Sequence, residues 1–116
     1  MENIWTPAHQ AVESEDAEAL ARLLGAGADP DEALGNMTLL THAIDVEGDS
    51  ALQSGHPTTV HTTAILLAFG ADPELEDPGG HTPLTRAESH GHDVAIRLLR
   101  ASMARRRRRR WWRGRL

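Results

Sequence analysis

Residues 70–99 read GADPELEDPGGHTPLTRAESHGHDVAIRLL. Turn signals and helix signals alternate along this stretch. Gly70-Ala-Asp-Pro73 and Asp77-Pro-Gly-Gly80 carry turn chemistry, because Gly supplies positive φ while Asp and Pro initiate turns. Thr82 opens a helix: its hydroxyl can accept from a free N–H of the first turn, and Pro83 is pre-set for that turn. Gly91-His92 is a helix-to-helix turn, and Leu98-Leu99 belong to a second helix.

Working outward, the same pattern recurs. Thr6-Pro-Ala-His-Gln-Ala-Val12 and Thr38-Leu-Leu-Thr-His-Ala-Ile44 align with Thr82-Pro-Leu-Thr-Arg-Ala-Glu88, each with Ala five residues after Thr. Gly27-Ala-Asp-Pro30 repeats Gly70-Ala-Asp-Pro73, and each copy follows an apolar run: Leu20, Leu23 and Leu24, then Ile65, Leu66 and Leu67. Apolar residues at 20, 23 and 24 have helical period. Gly27 stops that helix, because Gly adopts the left-handed conformation at low cost. Glu13, Glu15 and Asp16 crowd its start, where acids suit the helix dipole. Thr6 to Thr38 spans 32 residues and Thr38 to Thr82 spans 44. The excess, about 11 residues, falls best in 47–57, EGDSALQSGHP, whose composition predicts a loop.

Thr-Pro-Leu-x-x-Ala, Gly-His, a Leu-Leu pair and Gly-Ala-Asp together resemble ankyrin repeats over roughly residues 6–100. The resemblance implies an all-α solenoid of stacked helix-turn-helix units with short finger turns. The units would be about 6–37, 38–81 and 82–104. Three such units are near the minimum for a stable stack, since each shares its core only with its neighbours. Departures are visible. The first finger is one residue short and has Leu34-Gly35-Asn36 in place of the usual Asp, and the middle unit has Thr38-Leu-Leu in place of Thr-Pro-Leu. Arg100 stands where Leu24 stands in the first unit, so the last helix is expected to face water and end the stack.

Composition sets the bounds. Hydrophobic residues make up 40% of the chain, Ala and Leu dominate, and the aromatics are Phe69 and three Trp. Such a core suits closely stacked helices better than a sandwich or barrel. The absence of cysteine rules out disulfides and thiolate metal sites. The opening Met1-Glu-Asn-Ile-Trp5 has no secretory pattern, and the longest apolar run, 64–69, is far short of a membrane span. A cytoplasmic protein is expected. Residues 1–104 hold all 17 acids and four arginines, a net of −13, whereas residues 105–116 hold eight arginines and no acid, a net of +8.

No catalytic constellation emerges. Ser14, Ser50, Ser54, Ser89 and Ser102 lie in no nucleophile-elbow or phosphate-loop context. An enzyme, a cofactor and a small-molecule substrate are therefore not expected. Among seven histidines, His90/His92 and His56/His61 are the close pairs, but neither has carboxylate partners at ligand spacing, so no metal is expected. His9 and His92 sit where ankyrin repeats often carry a structural His. In that family the finger tips and the exposed face of the first helices form a concave binding surface for another protein. Carried over, this implies Asp31, Glu32, Ala33, Leu34, Asn36 and Met37 in the first finger. It implies Glu76, Pro78, Gly79 and His81 in the second, and Glu13, Ser14, Ser89 and His90 on the helices. Such an acid-rich surface would favour a basic partner, and an acidic inhibitor or immunity-type protein masking a basic enzyme is a special case of it. The alternative lies in Arg105, Arg106, Arg107, Arg108, Arg109 and Arg110 with Trp111 and Trp112. These suit nucleic acid, with Trp on bases and Arg on phosphates, or an anionic membrane. Six adjacent like charges predict a disordered tail over 105–116.

Overall fold

The computed structural model describes residues 5–55 and 58–115, with Arg115 described by its backbone only. The expectations that touch residues 1–4, His56, Pro57 and Leu116 lie outside the described residues. The elements are α1 (Pro7–Glu13), α2 (Ala17–Gly25), β1 (Ala33–Leu34), β2 (Met37–Thr38), α3 (Leu39–Ser54), α4 (His61–Ala68), α5 (Pro83–His90) and α6 (Asp93–Arg115).

Helices α1, α3 and α5 form an inner row and α2, α4 and α6 an outer row, each helix packing on its neighbour in the row and on its partner within the unit. The three repeated threonines start the inner helices. Thr6, Thr38 and Thr82 are N-caps whose side chains accept from the N–H groups of His9, Thr41 and Thr85. In α3 and α5 the hydroxyls of Thr41 and Thr85 reach back to the cap, completing capping boxes with Thr in the usual Glu position. The alanines five residues after each cap, Ala11, Ala43 and Ala87, are buried, and their small side chains let the inner helices approach closely. Leu20, Leu24, Leu66 and Leu99 fill the outer row against Leu39 and Ile44.

Helices α1, α2, α4 and α5 close in one way. Ala28 N–H bonds to Leu23 C=O and Gly27 N–H to Leu24 C=O. The same crossed pair recurs at Ala71/Leu66 with Gly70/Leu67 and at His92/Ala87 with Gly91/Glu88. This is the Schellman closure, which needs a left-handed residue, and Gly27, Gly70 and Gly91 supply it with φ of 107°, 95° and 63°. Helix α1 closes the same way, through Asp16/Ala11 and Glu15/Val12, but its left-handed residue is Glu15 at φ 53°. The first finger is a two-residue hairpin, with Ala33 opposite Thr38 and Leu34 opposite Met37, turning on Gly35 at φ 60°.

Two expectations are corrected. The stretch 47–57 is not a loop over its length: α3 continues through it to Ser54 and is closed by Gly55 in the left-handed conformation. The tail is not separate from the last unit: α6 continues without interruption from Asp93 to Arg115. Its first part is anchored by buried Ala95, Leu99 and Ser102, so the helix is already nucleated when the arginine run begins. Arg100 is exposed at the end of the stack.

Candidate interaction face and its polar ladder

The inner helices repeat one inter-unit contact. The residue four places after the cap threonine in one unit meets the acid seven places after the cap in the unit before. His42 Nε2 lies 2.6 Å from Glu13 Oε2, and Arg86 Nη1 lies 3.5 Å from Asp45 Oδ2. Positions four and seven after the cap are three residues apart, so they share one face of each inner helix.

Around the first rung, buried His9 and His42 meet through their Nδ1 atoms at 2.9 Å, and His9 Nε2 reaches the Glu32 carbonyl at 3.3 Å. A carbonyl only accepts, so Nε2 of His9 carries a proton, and one proton is shared between the two Nδ1 atoms. Burial, reinforced by the neighbouring His42, holds the pKa of His9 below its ordinary value, against the opposing pull of the Glu32 carbonyl and carboxylate. Trp5 stacks over His42 with ring centroids 4.9 Å apart. The Glu32 side chain accepts from the Thr6 hydroxyl at 2.8 Å, which ties the first finger to the first cap.

Around the second rung, buried Asp77 fixes the second finger. Its side chain accepts from His81 N–H at 2.9 Å and from Arg86 Nη2 at 3.4 Å. Burial opposes its charge, but the His81 N–H, Arg86 and His81 outweigh that and lower its pKa. His90 Nε2 bonds Asp45 at 2.9 Å, beside Arg86. Between the fingers, Asp31 Oδ1 accepts from Asp72 N–H at 2.7 Å.

The residues expected to bind a partner thus divide in three. Glu13, Asp31, Glu32, His81 and His90 spend polar atoms on their own chain. Asn36, Glu76, Pro78 and Ser89 are exposed, as is Ser14, which accepts from Gln10 Nε2 at 3.0 Å. Leu34 and Met37 are half-buried across the hairpin. Sequence reading passed over Asp45, Arg86 and His42, although the self-alignment already placed them at repeat-equivalent positions. It also passed over Glu47, taken as part of a loop. Glu47 is fully buried: Oε1 takes the Thr63 hydroxyl at 2.7 Å and His92 Nε2 at 3.1 Å, while Oε2 takes the Thr62 hydroxyl at 2.8 Å and Thr63 N–H at 3.2 Å. Helix α4 has no side-chain cap of its own, and this carboxyl group, sent from α3, takes its place.

The arginine run lies apart from this face. Arg106 and Arg107 approach Asp72 and Glu74, each at 3.8 Å, and Arg105 donates to Ser102 at 3.3 Å. Among the described residues no group of three His, Asp or Glu side chains is placed to hold a metal ion. Among the same residues no helix is long and apolar enough to cross a membrane.

No family model matches the chain. Among curated proteins it is similar to the potassium channel AKT1 of Oryza sativa, subspecies indica and japonica, with 32% identity over 94 residues. That match takes in 81% of this chain but only 9% of the channel's length. Among solved structures it is similar to an ankyrin repeat domain from Acinetobacter baumannii AYE, with TM-score 0.70 and 30% identity, covering 85% of this chain and 48% of that one. The two rows of helices, the thrice-repeated threonine cap, the glycine closures and this likeness agree: the chain is an ankyrin-repeat protein.

Proposed function

We propose that the protein binds another protein through its two finger tips and the adjoining face of the inner helices. The ankyrin-repeat fold is generally a protein–protein interaction module, and it is typically not an enzyme. The observation that carries the reading here is the fixing of the fingers from within. Asp77 holds the second finger, the Asp31–Asp72 bond ties the two together, and the Glu32–Thr6 bond anchors the first. Asn36, Glu76 and Pro78 are thereby presented outward on turns that lose little freedom on binding. The carboxylates of Glu13, Asp31 and Glu32 are engaged internally, so tip shape and hydrogen bonding weigh more in recognition than net acidity.

Affinity capture on the immobilised full chain tests this, set against N36A and E76R/P78A variants whose circular dichroism matches the parent. A partner that binds the parent and is lost from both variants is the expected result. A partner retained equally by all three would place recognition elsewhere.

A further inference from the structure

The interaction face leaves the cationic half of α6 unused. Ser102, Arg105, Arg106, Arg109, Arg110 and Arg113 recur at three- and four-residue intervals and so lie on one face of that helix. They line a groove of about 620 Å³ whose other wall is Leu67, Ala68 and Gly70, at the end of α4. Asp72 and Glu74 reach only Arg106 and Arg107. Among the described residues, Arg109, Arg110 and Arg113 make no ion pair. Like charges on successive turns repel, and the positive potential they hold would be relieved by a polyanion. Between Arg110 and Arg113 stand Trp111, on the opposite side of the helix, and Trp112, on the flank of the arginine face; they meet edge-to-face at 5.4 Å and are 54% and 62% exposed.

We propose that this groove binds single-stranded nucleic acid, with phosphates along the arginine face and bases on Trp112 at its flank. Two observations favour that occupant. Arginines at every position from 105 to 110 encircle the helix, which leaves no apolar face to sink into a bilayer, as an interfacial helix requires. The exposed indole of Trp112, one turn from Arg109 on the flank of the groove, offers a π-face that stacks on bases, which an acidic peptide does not use.

The experiment measures fluorescence anisotropy of a labelled oligothymidylate of about 15 nucleotides with the full chain across a salt series. Five groove arginines imply a log–log salt slope on the order of −3 to −4. R109A/R113A removes two groove contacts, lowering affinity at low salt about tenfold or more and flattening the slope by roughly 1.4. R107A/R108A removes the same charge outside the groove and costs less than about threefold. W112A loses the tryptophan quenching that accompanies binding and weakens affinity about tenfold. Equal losses in the two arginine pairs would overturn the groove. So would polyglutamate, or vesicles of phosphatidylserine and phosphatidylcholine, bound as tightly as the oligonucleotide. Absence of binding at low salt overturns the proposal outright.

Discussion

Glu47 shows how much one side chain can hold together here. Both of its oxygens are fully used, by Thr62 and Thr63 of α4 and by His92 at the start of α6. Glu47→Gln keeps the shape but turns an NH2 group toward hydroxyl, N–H or imidazole donors, leaving buried donors unmatched. A loss of about 1–3 kcal/mol is expected in urea denaturation. His9 sets a pH dependence. Its pKa is held below 6.5 in the fold, chiefly by burial and then by His42, so below 6.5 the unfolded chain takes up a proton that the folded one refuses. The stability it contributes is therefore complete above 6.5 and is lost as pH falls from there toward the folded value. Denaturation midpoints should drop between pH 7.5 and 5.5, and H9Q, less stable at pH 7.5, should show a shallower drop. Glu15 adopts the left-handed conformation that the equivalent Gly91 adopts without a Cβ. Its side chain returns only an exposed bond from the Ser50 hydroxyl at 2.9 Å. Glu15→Gly should gain about 1 kcal/mol, raising Tm by several degrees in calorimetry.

At the scale of elements, α3 is the outlier, with 16 residues against 7 in α1 and 8 in α5. Its extra turns begin where Gly48 lets α5 come close: a Cβ there would lie 2.5 Å from the His90 ring. Gly48→Ala improves helix propensity, yet it must push His90 off Asp45. Overpacking of this kind costs about 1–3 kcal/mol, against about 1 kcal/mol of propensity gained. Net destabilisation by chemical denaturation is expected for G48A. In the double variant G48A/H90A the added methyl should cost less than it does alone. A purely additive double mutant would show that His90 is not what Gly48 accommodates.

At the scale of the molecule, stability resides in the three-unit stack and not in the projecting helix. The last unit ends on exposed Arg100, and the arginine run returns to the body through Asp72 and Glu74 at 3.8 Å on partly exposed atoms. Such pairs contribute little. Deleting residues 105–116 should change the unfolding free energy by no more than about 1 kcal/mol in urea titration. It should also leave partner capture by the finger tips intact while removing oligonucleotide binding.

What the sequence by itself determined is what short-range chemistry determines. Cap threonines, left-handed glycines and the period of leucines act within a turn or two of chain. Their recurrence set unit number and helix starts. Residues 47–57 misled for the same reason: Gly48, Asp49 and Ser50 are weak helix formers locally. They are helical because Glu47 is bonded from α4 and α6, Gly48 seats His90, and Ser50 bonds Glu15. All of those partners lie far away along the chain, so no local pattern contains them. The arginine run likewise reads as self-repelling in isolation, and it is helical because Ala95 and Leu99 nucleate the helix on the stack. The division of the finger residues was also tertiary. Composition makes Glu13, Asp31 and Glu32 look like free acids, and only tertiary packing gives each a donor: Glu13 and Asp31 from the next unit, Glu32 from the Thr6 hydroxyl of its own.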